Sequence, residues 1–316
     1  VMEKVLASLD DPDDAAVFEV LPGRSVVQTV DFMPALVSDP YQFARITALH
    51  CLSDIFAMGA EPQGVLVLVL IPFGRDEVVE EQLYQLLSGV ISVLRECDSV
   101  LLGGHTAEGD QLALGITCNG VIRPDQLLRK EGMRPGEKII LTKPLGTGTL
   151  FAADMRLEAS GHWVDEVLES MSLSNQGASQ VLRANGAVSC TDVTGFGLVG
   201  HLLEMLKPAS VSAALDLEAI PVYGGARKTV EKGIFSSLQP QNQVASEWIS
   251  NPETAVDHPT YPLLFDPQTS GGLLASVPAD RAEHCLAELK AARYESSSII
   301  GEVVAKGDRV TVDLRS

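Results

Sequence analysis

The residues of this sequence best suited to chemistry are aspartates that stand where a predicted strand or helix meets a loop. They are Asp13, Asp14, Asp31, Asp54 and Asp192. Mg²⁺ prefers carboxylate oxygens, and a metal–triphosphate site needs carboxylates from several elements. Most carboxylates in caps and turns are structural, so the spacing leaves a metal site and a structural role both open. Asp54 favours the metal site, because a carboxylate beside the apolar face of a helix costs free energy unless it is paired.

Four glycine-rich segments form a second group of candidates: Gly103–Thr106, Gly146–Gly148, Thr194–Gly197 and Asp266–Gly272. Glycine lets backbone N–H groups approach a phosphate, and a helix N-terminus adds favourable partial charge. None of the four matches the P-loop pattern or the dinucleotide-binding pattern. Each segment taken singly is typical of a tight turn, and four in one chain favour a phosphate-rich ligand only modestly.

Two histidines and one lysine lie beside these segments. His105, in the loop that contains Gly103 and Gly104, is equally compatible with a functional and a structural role. His201 lies on a predicted amphipathic helix, which favours a partly buried side chain whose hydrogen bonds are satisfied within the protein. Lys143 is interpreted as a strand-end residue rather than a phosphate ligand. The sequence lacks the G-x-S-x-G pattern and therefore indicates no serine nucleophile.

The charge balance excludes two classes of partner. The chain of 316 residues has 23 Lys and Arg against 42 Asp and Glu, a net charge of −19. General binding of nucleic acid or of an anionic membrane needs a basic surface, so neither is expected. Phosphate held through a divalent metal remains compatible with this charge.

The cysteines and the apolar runs indicate a cytoplasmic protein. Five scattered cysteines form no C-x-x-C pair, which favours a reducing compartment over a disulfide framework or a zinc site. The longest apolar run, Val65–Ile71, is far shorter than the about 20 residues of a membrane span, so it predicts a buried strand. No signal peptide is expected at the start.

The periodicity predicts elements of both kinds in the first part of the chain. Strands are expected at Val26–Phe32, Val65–Ile71 and Leu112–Ile122, and helices at Tyr41–Met58 and Asp76–Arg95. Strands joined both directly and through helices indicate an α/β or α+β fold with a mixed sheet.

A turn-rich segment, Gly132–Gly136, predicts a domain boundary. We therefore expect domains at 1–134 and 135–316. Helices of the second part are expected near Gly148–Met155, Gln176–Asn185, Phe196–Leu206 and Asp280–Arg293. Its strands are expected near Lys138–Thr142, Val188–Asp192, Ala213–Leu217, Leu273–Val277, Ile299–Val303 and Val310–Leu314.

Seven stretches in order along the chain resemble the selenide, water dikinase (selenophosphate synthetase) family of the aminoimidazole-ribonucleotide-synthetase-like superfamily. The two most specific are LSDIFAMG at 52–59 and TDVTGFGLVGHLLEM at 191–205. The others are DDAAVF at 13–18, TVDF at 29–32, GGHT at 103–106, LTKPLGTG at 141–148 and DPQTSGGLL at 266–274.

This resemblance implies a two-domain synthetase fold and a homodimer. In the family the N-terminal mixed sheet pairs across the dimer into a β-barrel, with ATP near that interface, and the C-terminal domain is α/β. The implied reaction converts ATP, selenide and water to selenophosphate, AMP and phosphate, with Mg²⁺ required.

The resemblance also implies which residues bind metal and nucleotide. Asp14, Asp54 and Asp192 match the family's metal-binding aspartates. Positions matching its ATP site are Asp11, Pro12, Asp13, Asp31, Asp54, Gly104, His105 and Thr106. The last three match a loop that reaches ATP from the neighbouring subunit.

The 316 residues contain no counterpart of the family's glycine-rich loop with Cys or selenocysteine followed by a catalytic Lys. No catalytic residue is therefore assigned, and Val1–Asp10 is expected to be the helix that follows that loop. In some relatives the synthetase is fused behind a flavin-dependent oxidoreductase domain, and a chain that begins with Val is compatible with a piece of such a fusion. Without the loop, we expect weak binding of Mg–nucleotide and poor catalysis.

Two alternative functions stay open at this point. The chain could be a non-catalytic nucleotide-binding and dimerisation module of a larger protein. It could instead be a superfamily relative that acts on another substrate, such as thiamine-phosphate kinase, although TDVTGFGLVGH together with DPQTSGGLL favours the selenide branch.

Overall fold

The chain divides into two compact units, Val1–Leu127 and Leu128–Ser316. The computed structural model describes residues 5–7 and 13–315 of it. Each unit has its own mixed β-sheet and its own hydrophobic core. The predicted fold class, mixed α/β in a two-domain arrangement, is confirmed.

The described part of the first unit contains a six-stranded sheet in the order β1-β2-β3-β6-β4-β5. The parallel pair is β4 with β5, and the helix α2 provides the crossover connection that parallel neighbours need. The elements are β1 (Val5–Ala7), β2 (Ala16–Leu21), β3 (Arg24–Pro34), α1 (Pro40–Ala57), β4 (Glu61–Pro72), α2 (Asp76–Glu96), β5 (Val100–Gly109) and β6 (Ala113–Ile122).

The first strand corrects the helix expected over Val1–Asp10. Val5–Ala7 pairs antiparallel with β2, with Val5 opposite Phe18. Sheet pairing overrides the helical propensity of such a short segment, because three residues form too few helical hydrogen bonds to stabilise a turn. The rest of that expectation lies outside the described residues.

Helix α1 has well-defined signals at both ends. Asp39 accepts a hydrogen bond from the backbone N–H of Gln42 at 2.8 Å, and Pro40 occupies the first turn. Gly59, at φ +73°, follows the helix and turns the chain towards β4. The helix buries residues around most of its circumference, since it contacts both the sheet and α2.

Strand β4 is buried on one face only, which corrects the prediction of a fully buried strand. Val65 and Val67 are buried against the helices, whereas Leu66 and Leu68 are 46% and 45% exposed. Successive side chains of a strand point to opposite faces. The helices α1 and α2 cover one face of this sheet, and the other face carries exposed apolar side chains.

The segment Gly103–Thr106 lies within the long strand β5, not in the expected loop. A β-bulge shifts the register here, because Val65 pairs with Leu101 while Leu66 pairs with Gly103. At Gly104 an added Cβ would lie 2.0 Å from the backbone oxygen of Val67. Close approach of two strands therefore accounts for glycine at this position.

The described part of the second unit contains a six-stranded sheet in the order β12-β9-β11-β7-β10-β8. Its strands are β7 (Lys138–Leu141), β8 (Ser189–Asp192), β9 (Val211–Asp216), β10 (Leu273–Val277), β11 (Ser298–Ala305) and β12 (Val312–Arg315). Its helices are α3 (Thr147–Asp154), α4 (Gly161–Met171), α5 (Gln176–Ala184), α6 (Gly197–Ala209), α7 (Ala226–Glu231), α8 (Gln239–Asn242), α9 (Pro252–Ala255) and α10 (Ala282–Ala291).

Helix α4 was not anticipated from the sequence. Its apolar residues Val164, Val167, Leu168 and Met171 recur at helical spacing, and Val167 and Met171 are buried, so the sequence does contain a helical signal here. None of the helices among the described residues is long and apolar enough to cross a membrane.

We predict that Gly104→Ala lowers the free energy of unfolding by about 1–3 kcal/mol, the usual cost of overpacking. The added methyl would force β4 and β5 apart at Val67. Gly161→Ala is the matched control, since an added Cβ there meets nothing within 4 Å. Urea unfolding measures both variants, and equal stability of Gly104→Ala and the control would contradict the steric explanation.

Candidate functional site

Two of the predicted site aspartates of the first unit lie where strand β3 packs against helix α1. Asp54 lies on α1 and accepts a hydrogen bond from the hydroxyl of Thr29 on β3 at 2.5 Å. Asp31 lies two residues further along β3, and its Oδ2 is 3.8 Å from Nε2 of His50. Because Asp54 and His50 are four residues apart on α1, they lie on one face of the helix. The result is a half-buried acidic crevice between β3 and α1.

The two carboxylates set the local electrostatic potential of this crevice. Burial, followed by the charges of Asp54 and Asp31, raises the pKa of the Cys118 thiol well above its usual range. Burial also raises the pKa of Cys51, with smaller contributions from Cys118, Asp31 and Asp54. The negative charges of Asp31 and Asp54 thus oppose a further negative charge nearby, and by the same electrostatics they favour a cation in the crevice.

The predicted loop at the start of the chain is described in part. Oδ1 of Asp13 accepts a hydrogen bond from the backbone N–H of Asp14 at 2.9 Å, and both residues are half-buried just before β2. Asp11 and Pro12, also predicted to contact ATP, lie outside the described residues.

The other predicted ATP-binding residues of this unit lie on an edge of its sheet. Gly104, His105 and Thr106 belong to β5, the last strand in the sheet order, and all three are exposed. An edge strand presents unpaired backbone N–H and C=O groups on its outer side. These residues are therefore available to a molecule outside the unit.

In the second unit, Asp192 ends strand β8 and is only 3% exposed. No hydrogen bond to its carboxylate is found in the described part of the chain. The charge of Asp192 acts on Lys143, although burial is stronger and lowers the pKa of Lys143 to about 7. A buried carboxylate is costly unless a positive charge compensates it, so a cation close to Asp192 is favourable.

The helix that follows Asp192 begins with polar contacts around the side chain of His201, which is buried. The ring Nε2 of His201 lies 3.2 Å from the hydroxyl of Thr194, and its Nδ1 lies 3.3 Å from a carboxylate oxygen of Glu204. Lys130 forms an ion pair with Glu204 at 2.9 Å. Burial opposes ionisation of Glu204, but His201 and Lys130 lower its pKa to about 2. This network fixes the turn that carries Gly195 and α6.

Two of the glycine-rich segments bind each other instead of a phosphate. The backbone N–H groups of Gly146 and Thr147 donate to Oε1 of Gln268, at 3.0 and 3.1 Å, and that of Gly148 donates to Oδ2 of Asp266 at 3.0 Å. These amides form the N-terminus of α3, where a free helix would attract an anion. The chain's own side chains occupy that position, which supports the tight-turn interpretation of Gly146–Gly148.

The role of Asp266 was missed from the sequence. Its Oδ2 also accepts from the side chain of Gln268 at 3.0 Å, while its Oδ1 is buried and has no hydrogen-bond partner among residues 13–315. Burial raises the pKa of Asp266 to about 7, against the effect of the bonds to Gln268 and Gly148. The sequence offers only a weak indication of this role, namely an acidic residue that follows an apolar run and precedes Pro and Gln.

Comparison with known families places both units in one class. Residues 12–122 match the family described as AIR synthase related protein, N-terminal domain, and residues 134–313 match AIR synthase related protein, C-terminal domain. The fold and the acidic crevice therefore belong to an AIR synthase related protein.

Relatives at higher identity narrow this class. A selenide, water dikinase from Myxococcus xanthus (strain DK1622) is 40% identical over 306 residues, covering 96% of this chain and 85% of the relative. That of Pelobacter propionicus (strain DSM 2379 / NBRC 103807 / OttBd1) is 36% identical over 310 residues, covering 98% and 88%. The chain belongs to the selenide, water dikinase family.

Solved structures with the same fold are more distant. A thiamine-monophosphate kinase from Stenotrophomonas maltophilia K279a superimposes with a TM-score of 0.70 at 20% identity, covering 98% of this chain and 91% of that one. The hydrogenase maturation protein HypE in complex with ATP gives a TM-score of 0.72 at 19% identity, covering 95% and 84%. At this identity the likeness concerns the fold.

We predict that the stability of the protein falls as the pH rises from 4 to 7, in part because of Asp266. The pKa of this carboxyl is about 7 in the folded state against 3.8 for an ordinary Asp, so the folded state holds the proton more tightly. Its contribution is full below pH 4 and is lost as the pH approaches 7, with an upper bound of about 4 kcal/mol.

Asp266→Asn keeps a neutral acceptor at this position and should make the free energy of unfolding less dependent on pH. The variant should therefore be more stable than the unmodified protein at pH 8. Asp216→Asn is the control, because Asp216 is an exposed aspartate that accepts from the backbone N–H of Glu218. Chemical unfolding at pH 5 and pH 8 measures both. A pH dependence unchanged by Asp266→Asn would show that Asp266 is ionised in the folded state.

Proposed function

We propose that the protein catalyses the ATP-dependent synthesis of selenophosphate from selenide and water, with release of AMP and phosphate. Membership of the selenide, water dikinase family over nearly the whole chain is the observation that carries this proposal. The acidic crevice supports it, because a polyphosphate with several negative charges is held among carboxylates only through cations. The class of reaction is phosphoryl transfer, in which positioning and charge neutralisation dominate catalysis.

The proposed metal is Mg²⁺, with Asp14, Asp54 and Asp192 as its ligands. These residues suit the ion, since hard cations prefer carboxylate oxygens and since the buried carboxylate of Asp192 has no hydrogen bond in the described structure. When bound, Mg²⁺ would neutralise charge on the phosphate oxygens. The chain's own residues orient these ligands: Thr29 fixes the rotamer of Asp54, and strand β8 holds Asp192 at its end.

The proposed nucleotide contacts are Asp13, Asp31 and Asp54 of the crevice, with Asp11 and Pro12 of the preceding loop. Gly104, His105 and Thr106 would contact the nucleotide bound to a second subunit. Their exposure on the edge strand β5 supports this role.

We further propose that the protein forms a homodimer through the uncovered face of the first sheet, which would close into a β-barrel with its partner. Phe32, on β3, and Leu68, on β4, lie on this face on either side of Gly115. With Val30, Leu66 and Leu102 they make an apolar surface that water solvates poorly. Such a continuous apolar surface is typical of an obligate interface.

We place the reaction in the cytoplasm. The five cysteines are free and buried, as expected of a protein from a reducing compartment. This is the compartment that the sequence analysis expects.

The function is tested by following the reaction with ³¹P NMR. We expect the 316-residue chain with ATP, selenide and Mg²⁺ to give AMP, phosphate and a new phosphorus signal coupled to selenium, at a low rate because it has no counterpart of the family's Cys/Lys loop. Formation of ADP with thiamine monophosphate, in a reaction independent of selenide, would instead assign the chain to another branch of the superfamily. Binding of ATP without any turnover would favour a non-catalytic module.

We predict that Asp54→Asn and Asp192→Asn each reduce selenide-dependent AMP formation by about a hundredfold or more, since each removes a charge that holds the metal and its nucleotide. Circular dichroism should show that both variants stay folded. Asp110→Asn, at an exposed turn, is the control and should keep the original rate. Near-normal rates in both site variants would refute the metal assignment.

We predict that Leu66→Asp converts the dimer to a monomer, because the substitution buries an unpaired charge in the proposed interface. Sedimentation equilibrium measures the mass. Val78→Asp is the control, since Val78 is similarly exposed, at 43%, but lies on α2. A dimer that survives Leu66→Asp, or a monomeric original protein, would place the interface elsewhere or exclude it.

A further inference from the structure

The second unit contains a cavity of about 400 Å³ that no part of the proposed reaction uses. Its floor is formed by Lys143, which follows β7, and by Tyr223. One wall is a face of α4 that carries Glu166 and Glu169, and the opposite wall is the loop 293–296 between α10 and β11. The volume lies within the range of about 300–1,000 Å³ that ligand sites occupy.

A buried lysine contributes to the lining. Lys143 is 2% exposed, and its Nζ donates to the backbone oxygens of Leu173 at 2.7 Å and Ser270 at 3.0 Å. Lys143 is also one of the residues that line the cavity. In its protonated form it attracts an anionic group placed there.

A second positive group stands at the rim of the cavity. Arg293 is exposed, and no ion pair of its guanidinium is found among residues 13–315. Guanidinium and ammonium groups both recognise carboxylates, the guanidinium through two parallel hydrogen bonds. The floor and this side of the rim are therefore suited to an anionic group.

The walls have the opposite character. Glu166 and Glu169 are three residues apart on α4 and so share one face of the helix, and Glu295 projects from the opposite loop. Carboxylates on two walls of one cavity attract a cationic group, such as an organic ammonium, that enters it.

We propose that this cavity binds a free α-amino acid, with the carboxylate directed to Lys143 and Arg293 and the ammonium group directed to Glu169 and Glu295. The mixed charge of the lining selects a zwitterion over a simple anion or a simple cation. The site lies within the second unit, so the proposal stands independently of the reaction proposed above.

The first test is a binding screen by thermal shift with the twenty protein amino acids, followed by calorimetry on those that stabilise the protein. Methylammonium chloride and sodium propionate, which each carry one of the two charges, serve as comparison probes. We expect at least one amino acid to bind saturably and at least tenfold more tightly than either probe. The absence of saturable binding by all twenty, or equal binding of a single-charge probe, would overturn the proposal.

The second test locates the site. Glu169→Gln and Arg293→Gln should each weaken amino-acid binding at least tenfold, and both residues are exposed, so folding should be preserved. Asp165→Asn on α4 and Lys290→Gln on α10 are matched controls, since neither residue lines the cavity. Unchanged affinity in both site variants would exclude this cavity. ATP affinity, measured in the same samples, should not change in any of the four.

Discussion

The concentration of negative charge is the constraint on which the candidate site depends. Asp31 and Asp54 flank one crevice of the first unit, and Asp192 is buried at the end of a strand of the second unit. Carboxylates in such surroundings are stable when a cation meets them. A polyphosphate is also negatively charged and also needs a cation. A divalent metal placed between them would neutralise charge on the carboxylates and on the nucleotide together. The net charge of −19, which excludes nucleic acid as a partner, is thus compatible with binding ATP.

Individual side-chain contacts hold the elements that carry these carboxylates in place. Thr29 holds the side chain of Asp54, and the network from Thr194 through His201 to Glu204 and Lys130 fixes the turn after Asp192. The N-terminus of α3 is occupied by Gln268 and Asp266, which ties two distant segments of the second unit together. Several glycine-rich segments therefore serve packing and capping, so that the phosphate-binding role falls on fewer residues than the sequence offered.

Much of the fold was predictable from the sequence, because its signals are local. The apolar spacing of Tyr41–Met58 gave helix α1 to within a residue or two, and Leu273–Val277 gave strand β10 with its bounds. Helix α4 was missed although its apolar residues recur at helical spacing, and the strand Val5–Ala7 was missed because pairing with β2 is a non-local event. The segment Gly103–Thr106 was expected to be a loop, but its glycines accommodate a bulge within strand β5 against β4.

The candidate site was predictable in its residues but not in its surroundings. Carboxylate chemistry pointed to Asp54 and Asp192, and the family resemblance supplied Asp14 and the nucleotide contacts. The sequence could not show that Asp192 is buried and acts electrostatically on Lys143, or that Asp266 caps α3, because both facts depend on residues far apart along the chain.

The central claim is that carboxylates bind ATP through a divalent cation, and calorimetric titration of ATP in Mg²⁺ and in EDTA tests it most directly. Our account predicts that ATP affinity falls by about a hundredfold or more when the metal is removed, since the nucleotide would then face unneutralised carboxylates. Equal affinity for ATP in Mg²⁺ and in EDTA would contradict it.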